Sequence, residues 1–318
     1  MKKVCVVIVT YNRSKYLCNL LNELYNQTYV IDTIIILDNH STDNTQEILI
    51  DKGIINHKDN VLEDKLYQSD RDNIKYYYYY SSTNSGGSGG FNKAFSIFNK
   101  IDNKFDYLWV MDDDVLPEKD CLEKMVNNMS DEYGLCLPNR SDDKFKDYAV
   151  IRHNMKNPFV VYMQRKTKIY NLDKEYYDIQ DMPFEGPLID VNVVKKVGLP
   201  DKDYFIFYDD TDYCRRCLKY TKAKLISNAI LHKQIIPKEN KSSKMNWRNY
   251  YSYRNCIYFD KTYGENWFIK NLSPRIFILE IYLKNIILLR FYNLKIIKKA
   301  YKDGMKNIRG KTIEPGSM

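Results

Sequence analysis

The sequence predicts an α/β fold: a mixed, mainly parallel sheet flanked by helices, with a helical appendage at the C-terminal end. Three observations lead there. Apolar, β-branched runs such as "KVCVVIVTY" and "IDTIIILD" have the pattern of strands covered on both faces. Each is followed by a segment with helical spacing, and strand–helix alternation implies right-handed crossovers and a parallel sheet. The basic charge is also confined to one end. Lys261 to Lys311 holds 12 Lys/Arg against 3 Asp/Glu, so the net +8 of the 318-residue chain becomes about −1 for the remainder.

In chain order, the first strand is "KVCVVIVTY". Tyr16, Leu17, Leu20, Leu21 and Leu24 then repeat at helical spacing, with Ser14 as a cap. "IDTIIILD" is a second strand with the polar turn "NHSTD", and "NTQEILI" is a helix. Residues 51–73 are polar with little periodicity and read as an excursion outside the core. "IKYYYYY" is a third strand of aromatic β-formers. "NSGGSGG" reads as its loop, placed between strand and helix where a domain linker would not fit, and "FNKAFSIFNKI" is the next helix. "FDYLWVMDDDV" is a fourth strand ending in three carboxylates. A helix (Lys119 to Met129), the strand "YGLCLPN" and a weakly patterned tract to about residue 182 follow. After these come "FEGPLID", an acidic-headed helix at "YDDTDYCRR", the strand "KLISNAILHK" and the aromatic helix "WRNYYSYRNCIYFDKTY". The expected division is a catalytic domain over 1–260 and a basic, amphipathic helical region over 261–318.

Composition excludes several classes. With 44% hydrophobic residues the chain can bury a large core, which excludes global disorder. Seven scattered cysteines argue against a disulfide framework and for a reducing compartment. "CRRC" stands alone, and the four histidines form no HExxH. The N-terminal apolar run is too short for a signal peptide, so export is not expected. A near-neutral body lacks the basic face that nucleic-acid binding needs.

Chemistry gathers at the strand ends. In open α/β sheets, ligands sit outside the carboxyl ends of the strands. "TYNR", "DNHSTD", "TNSGGSGG" and "DDD" all fall at such ends. Asp112 and Asp114, one residue apart, repel unless a cation compensates them. A hard ion such as Mg²⁺ or Mn²⁺, shared with substrate phosphates, is the natural partner.

The ordered series "VVIVTYNR", "ILDNHSTD", "NSGGSGGFN", "WVMDDDV", "FEGPLID", "FYDDTDYCRR" and "RN" resembles family 2 of the inverting GT-A glycosyltransferases over about residues 3–260. The glycine stretch with "DDD" is especially similar to its galactofuranosyltransferase and rhamnosyltransferase-like branch. The resemblance implies a Rossmann-like GT-A fold and a UDP- or dTDP-sugar donor lying along Thr10, Tyr11, Asn12, Arg13, Asp38, Asn39, Asn84 and Gly87. It implies a divalent metal at Asp112 and Asp114 with His232 as a third ligand, and Asp113 against the ribose or donor sugar. The second acidic residue of "YDDTDYCRR", Asp210, would be the general base. Asp209, Arg216, Trp247 and Arg254 would support it or the acceptor, with Arg216 fixing the acidic cluster. The acceptor would be a glycan or polyprenyl-linked glycan in surface polysaccharide assembly, of the capsule or lipopolysaccharide kind.

Lys284 and Arg290 interrupt the apolar tail, which excludes a spanning helix and suits an anionic membrane surface or a homo-oligomer contact. The expected location is cytoplasmic, at the inner face of the membrane. Two alternatives stand beside this reading. A nucleotidyltransferase would show a glycine-rich basic signature after the first strand, which "TYNRSKYL" lacks. A non-catalytic scaffold would have no use for Asp112, Asp114 and Asp210.

Overall fold

The computed structural model describes residues 1–56, 61–101, 104–236 and 243–316. It begins with β1 (Val4–Thr10), α1 (Ser14–Tyr25), β2 (Thr33–Asp38), α2 (Thr45–Asp51), β3 (Leu66–Arg71), β4 (Ile74–Tyr80) and α3 (Gly86–Lys100). Next come β5 (Tyr107–Asp112), β6 (Val115–Pro117), α4 (Cys121–Asn128), β7 (Leu135–Asn139), β8 (Ala149–His153), β9 (Lys166–Ile169), β10 (Tyr176–Asp178) and β11 (Leu188–Asp190). The chain closes with α5 (Val191–Val197), α6 (Asp209–Cys217), β12 (Ala223–Lys233), α7 (Trp247–Tyr263), α8 (Trp267–Ile287) and α9 (Leu294–Met305).

The main sheet runs β10-β12-β7-β11-β5-β1-β2-β4-β3, with β6 paired to β12. β4, β2, β1 and β5 are parallel neighbours. β11 enters antiparallel between β5 and β7, which makes the sheet mixed. β1 is buried throughout because both faces are covered. Cys5, Val7 and Val9 pack with Phe91 and Phe95 of α3, while Val4, Val6 and Ile8 pack with Leu17, Leu20 and Leu21 of α1. That two-sided burial is why the run is apolar without alternation. The register aligns Thr10 with Asp38 and Val9 with Asp112, so three polar turns leave the sheet at one level.

Several expectations need correction. The polar tract 51–73 is not wholly outside the core: Leu66–Arg71 forms β3, an antiparallel edge strand on β4. Residues 57–60 of that tract lie outside the described residues. The weak pattern before residue 182 hides a two-stranded sheet, β8–β9, and the edge strand β10. Ser14 does not cap α1 by a side-chain bond; its hydroxyl meets Asn44 Oδ1 at 2.5 Å.

The glycines of the stretch open α3, which starts at Gly86, rather than forming a loop. Glycine allows α3 to start hard against its neighbours. A Cβ on Gly90 would lie 2.6 Å from Val9 Cγ1, and one on Gly86 would lie 2.1 Å from the carbonyl oxygen of Phe205. Gly86 also has φ +74°, which L side chains rarely adopt. Gly86→Ala is therefore expected to cost about 1–3 kcal/mol, read as a lower denaturation midpoint.

The C-terminal helices are not loosely appended. α7, α8 and α9 share a core in which Tyr250, Tyr251, Ile257, Phe277 and Ile297 are buried. Phe205, just upstream of α6, belongs to the same cluster.

Candidate functional site

The "DDD" turn follows β5 directly. Asp113 is almost fully buried and is spent internally: Thr10 Oγ1 donates to it at 2.8 Å and Arg13 Nη1 at 2.9 Å. Arg13 Nη1 also reaches Asp114 Oδ2 at 2.9 Å. Asp113 therefore ties the "TYNR" turn to β5. Burial raises Asp113 to about 6, with Arg13 and Thr10 opposing the shift. Asp112 has no hydrogen-bond donor among the described residues. Burial, then Asp114, Glu185 and Asp113, push its carboxyl well above the ordinary range. Glu185, from "FEGP", is itself held low, against burial, by Arg140 and Lys233.

Crowded carboxylates with one lacking a donor are a fitting donor set for a hard divalent cation. Asp112 and Asp114 are the residues that could hold it, as two ligands to be completed by substrate phosphates. The expected third ligand makes other contacts. His232 turns both ring nitrogens to carboxylates elsewhere, Nε2 to Glu118 at 3.1 Å and Nδ1 to Asp142 at 3.4 Å. Strand alternation sends its neighbour Lys233 to Glu185 instead. Among the described residues no group of three or more His, Cys, Asp or Glu is set to hold a metal.

Asp38 and Asn39, the expected nucleotide contacts, also make internal bonds. Asp38 is fully buried, accepting from the Ser41 N–H at 2.7 Å and the Tyr78 hydroxyl at 2.9 Å. Asn39 donates to the Gly86 carbonyl at 3.0 Å and accepts from the Ser85 N–H at 3.1 Å, joining β2 to the start of α3. Asn84 accepts from the Gly86 N–H at 2.9 Å. Asn12, at φ +52°, accepts from the Thr42 N–H at 2.6 Å. The groups left facing open space are Tyr11, which is exposed, and Gly87, with nothing within 4 Å of a Cβ position.

The second half of the site is a cavity of about 410 Å³ whose wall includes Asp210, Lys166, Asp181, Tyr148, Tyr162 and Arg248. Asp210 stands in the first turn of α6 and accepts from the Thr211 N–H at 2.6 Å. Burial, then Asp209 and Asp181, raise it to about 8, with Lys166 opposing. Lys166 pairs with Asp181 and lies 3.4 Å from Thr211 Oγ1. Two arginines of its wall interact with residues that neighbour Asp112 and Asp114. Arg140 lines it and binds Glu185 at 2.6 Å. Arg248 lines it close enough to Arg13 for the like charge to lower its pKa further, after burial.

The segment that presents Asp210 is strained. Phe205, Phe207 and Tyr208 have φ of +67°, +65° and +72°, each costing on the order of 1–3 kcal/mol. α7 holds them there. Asn255 Nδ2 donates to the carbonyls of Tyr204, Ile206 and Phe207 at 3.0, 2.8 and 3.0 Å. Arg254 is almost fully buried and donates to the carbonyls of Tyr204 and Gly310, so it braces this backbone. Trp247 packs on Phe205 and Tyr251. Arg216 pairs with Asp212 at 2.9 Å and donates to the carbonyls of Val197 and Leu199. Asp209 is buried, and burial raises its carboxyl. Asn255→Ala should strip one donor from three carbonyls, lowering stability by about 1–3 kcal/mol. Turnover should fall with it, read from a melting curve and a rate on the same variant.

Sequence reasoning missed Lys166, Asp181, Glu185 and Arg248. Glu185 and Arg248 stand inside the quoted "FEGP" and "WRN" segments, whereas Lys166 and Asp181 sit in a tract with no periodic signal.

Residues 5–198 match Glycosyl transferase family 2. No curated protein sequence matches the chain. Among solved structures it is similar to S. aureus TarS 1–349 in complex with UDP-GlcNAc, at 15% identity and TM-score 0.53, covering 96% of this chain and 82% of that one. It is similar to the mannosyltransferase PcManGT from Pyrobaculum calidifontis in complex with GDP-Man and Mn²⁺, at 12% identity and TM-score 0.54, covering 96% and 87%. GalNAc-T7 with UDP, GalNAc and Mn²⁺ aligns at 12% identity and TM-score 0.60, over 97% of this chain and 56% of that one. Against the longer TarS chain it spans 44% of the length. At these identities the likeness is one of fold, the GT-A fold, with its central mostly parallel sheet and flanking helices. The family match takes in well over half of the sequence, and the chain belongs to glycosyl transferase family 2.

Proposed function

We propose that this protein is an inverting glycosyltransferase that moves a sugar from a nucleoside-diphosphate donor to a hydroxyl of a glycan or polyprenyl-linked glycan, with Asp210 as general base. The observation that carries this is Asp210 itself. A carboxylate with a raised pKa lines a cavity of about 410 Å³ whose wall also holds Arg248 and Arg140, the latter bound to Glu185. A carboxylate whose proton affinity is raised toward the working pH is a better proton acceptor than an ordinary one.

The donor lies over Tyr11, Arg13 and Gly87 toward Asp112 and Asp114, and the acceptor occupies the cavity. Tyr148 and Tyr162 offer aromatic surface to the acceptor sugar. Asp210 takes the hydroxyl proton as that oxygen attacks the anomeric carbon. The nucleoside diphosphate leaves from the opposite face, so the anomeric centre inverts in one displacement. Arg248 has no ion-pair partner among the described residues and stands where it can meet the departing anion. A divalent ion at Asp112 and Asp114, Mn²⁺ or Mg²⁺, supplies further neutralisation of that charge when bound. Mn²⁺ with PcManGT and GalNAc-T7, and UDP compounds with TarS and GalNAc-T7, support a metal and a UDP-sugar, with dTDP-sugars the next candidates. The glycine stretch with "DDD" favours galactofuranose or a rhamnose-like sugar. We assign catalysis to residues 1–260 and attachment to residues 261–318, at the cytoplasmic face of a membrane where surface polysaccharide of the capsule or lipopolysaccharide kind is assembled.

The pH profile tests the base. Asp210 must be deprotonated to act, so turnover should rise with pH through its raised value of about 8 and level off above it. Lys166→Met removes a cation that favours the charged form, so the rising limb should move to higher pH, while Lys166→Arg should leave it near its original place. A profile flat between pH 6 and about 9 contradicts the assignment.

A further inference from the structure

We propose that the turn between α8 and α9 is a wedge that docks on an anionic lipid bilayer and holds the acceptor cavity next to it. α8 is apolar on two sides. One side packs inward through Phe277 and Ile278. The other carries Leu279, Leu283 and Ile287 at i, i+4 and i+8, all exposed. This outward stripe runs into Leu289, Phe291 and Tyr292 at the turn, with Ile287 78% and Leu289 72% exposed. An uncovered apolar run of this length marks an interaction site.

Charge decides between occupants. Between Leu279 and Lys298 the chain has Lys284, Arg290, Lys295 and Lys298 against a single acid, Glu280. Lys284, Arg290 and Lys295 have no ion-pair partner among the described residues. A two-fold contact between copies would set this cationic patch against itself. An anionic bilayer satisfies both features, taking the apolar edge below its headgroups and pairing the cations with them. No helix among the described residues is long and apolar enough to cross the membrane, so the wedge inserts only partway.

The turn is also tied to the cavity. Asn293 Oδ1 accepts from the Met245 N–H at 2.8 Å, Asn293 Nδ2 donates to the Ser243 carbonyl at 2.9 Å, and Tyr292 meets Ser243 Oγ at 2.7 Å. That segment runs directly into Arg248 and Asn249, both in the cavity wall. A bilayer held by the turn is thus one short segment from the acceptor site, which suits a lipid-linked acceptor and rests to that extent on the proposed function.

The test is co-sedimentation of the full chain with phosphatidylglycerol/phosphatidylcholine vesicles and with pure phosphatidylcholine vesicles. Binding should require the anionic lipid and weaken as salt rises. Ile287→Asp/Leu289→Asp should weaken it roughly a hundredfold, and Lys284→Gln/Arg290→Gln roughly tenfold with a shallower salt dependence. Both variants should keep the wild-type melting temperature and the wild-type rate of donor turnover with a water-soluble acceptor. Equal binding by the Asp variant, absence of vesicle binding, or a wild-type dimer that the Asp substitutions split would overturn the proposal. Soluble-acceptor turnover reports on the enzyme separately, so loss of one reading leaves the other measurable.

Discussion

Asp210→Asn is expected to lower sugar transfer by about 10²–10⁴-fold while leaving donor affinity unchanged. The amide is the same size, still accepts from the Thr211 N–H, and removes only the proton acceptor. It also relieves crowding, because Asp209 and Asp181 both oppose ionisation at this position. The sign of the pH effect on folding follows. Between the ordinary carboxylate value and the raised one, the folded state holds a proton that the unfolded chain has lost, so stability falls as pH rises through that window. The Asn variant lacks this loss and should melt no lower than the wild type at pH 8. A variant that transfers sugar within about threefold of the wild type would remove Asp210 from the mechanism.

Asp112→Asn is the second large effect. Asp112 is the carboxylate of the turn that has no donor of its own, so its negative charge is the one a cation would compensate. Transfer should fall by on the order of 10²-fold or more, and the Mn²⁺ concentration for half-maximal activity should rise about tenfold or more. Asp113→Asn should behave differently. Its carboxylate ties Arg13 and Thr10 to β5, so its loss should appear mainly as a lower melting temperature. An unchanged metal-activation curve in Asp112→Asn would show that this carboxylate does not hold the ion.

The sequence exposed the sheet core because β1, β2 and β5 are covered on both sides and must be apolar throughout. It exposed the site only as far as strand ends reveal chemistry. Asp38, Asn39 and Asp113 read as ligand contacts in the sequence; buried polar side chains at strand ends also close turns, and these three make such bonds. The glycines of α3 read as loop because glycine disfavours helix interiors. Their reason is steric: α3 starts against Val9 and the Phe205 carbonyl, which no local pattern encodes. His232 meets Glu118 and Asp142, while one step of strand alternation turns its neighbour Lys233 to Glu185. Lys166 and Asp181 were invisible because the short β8–β9 pair that carries Lys166 has no hydrophobic period. Arg254 and Asn255 are a third case: their motif is legible in the sequence, and its bracing of positive-φ residues appears only in three dimensions.

The most direct test of a nucleotide-sugar transferase is a thermal-shift panel of uridine, thymidine and guanosine diphosphates and their sugars, each with and without Mn²⁺. A uridine or thymidine diphosphate compound should raise the melting temperature by several degrees. A ligand at 100 times its Kd adds about 2.7 kcal/mol, and the rise should depend on Mn²⁺ and shrink in Asp112→Asn. If no nucleoside diphosphate or its sugar stabilises the protein under either condition, the donor site at Arg13, Asp112 and Asp114 is contradicted.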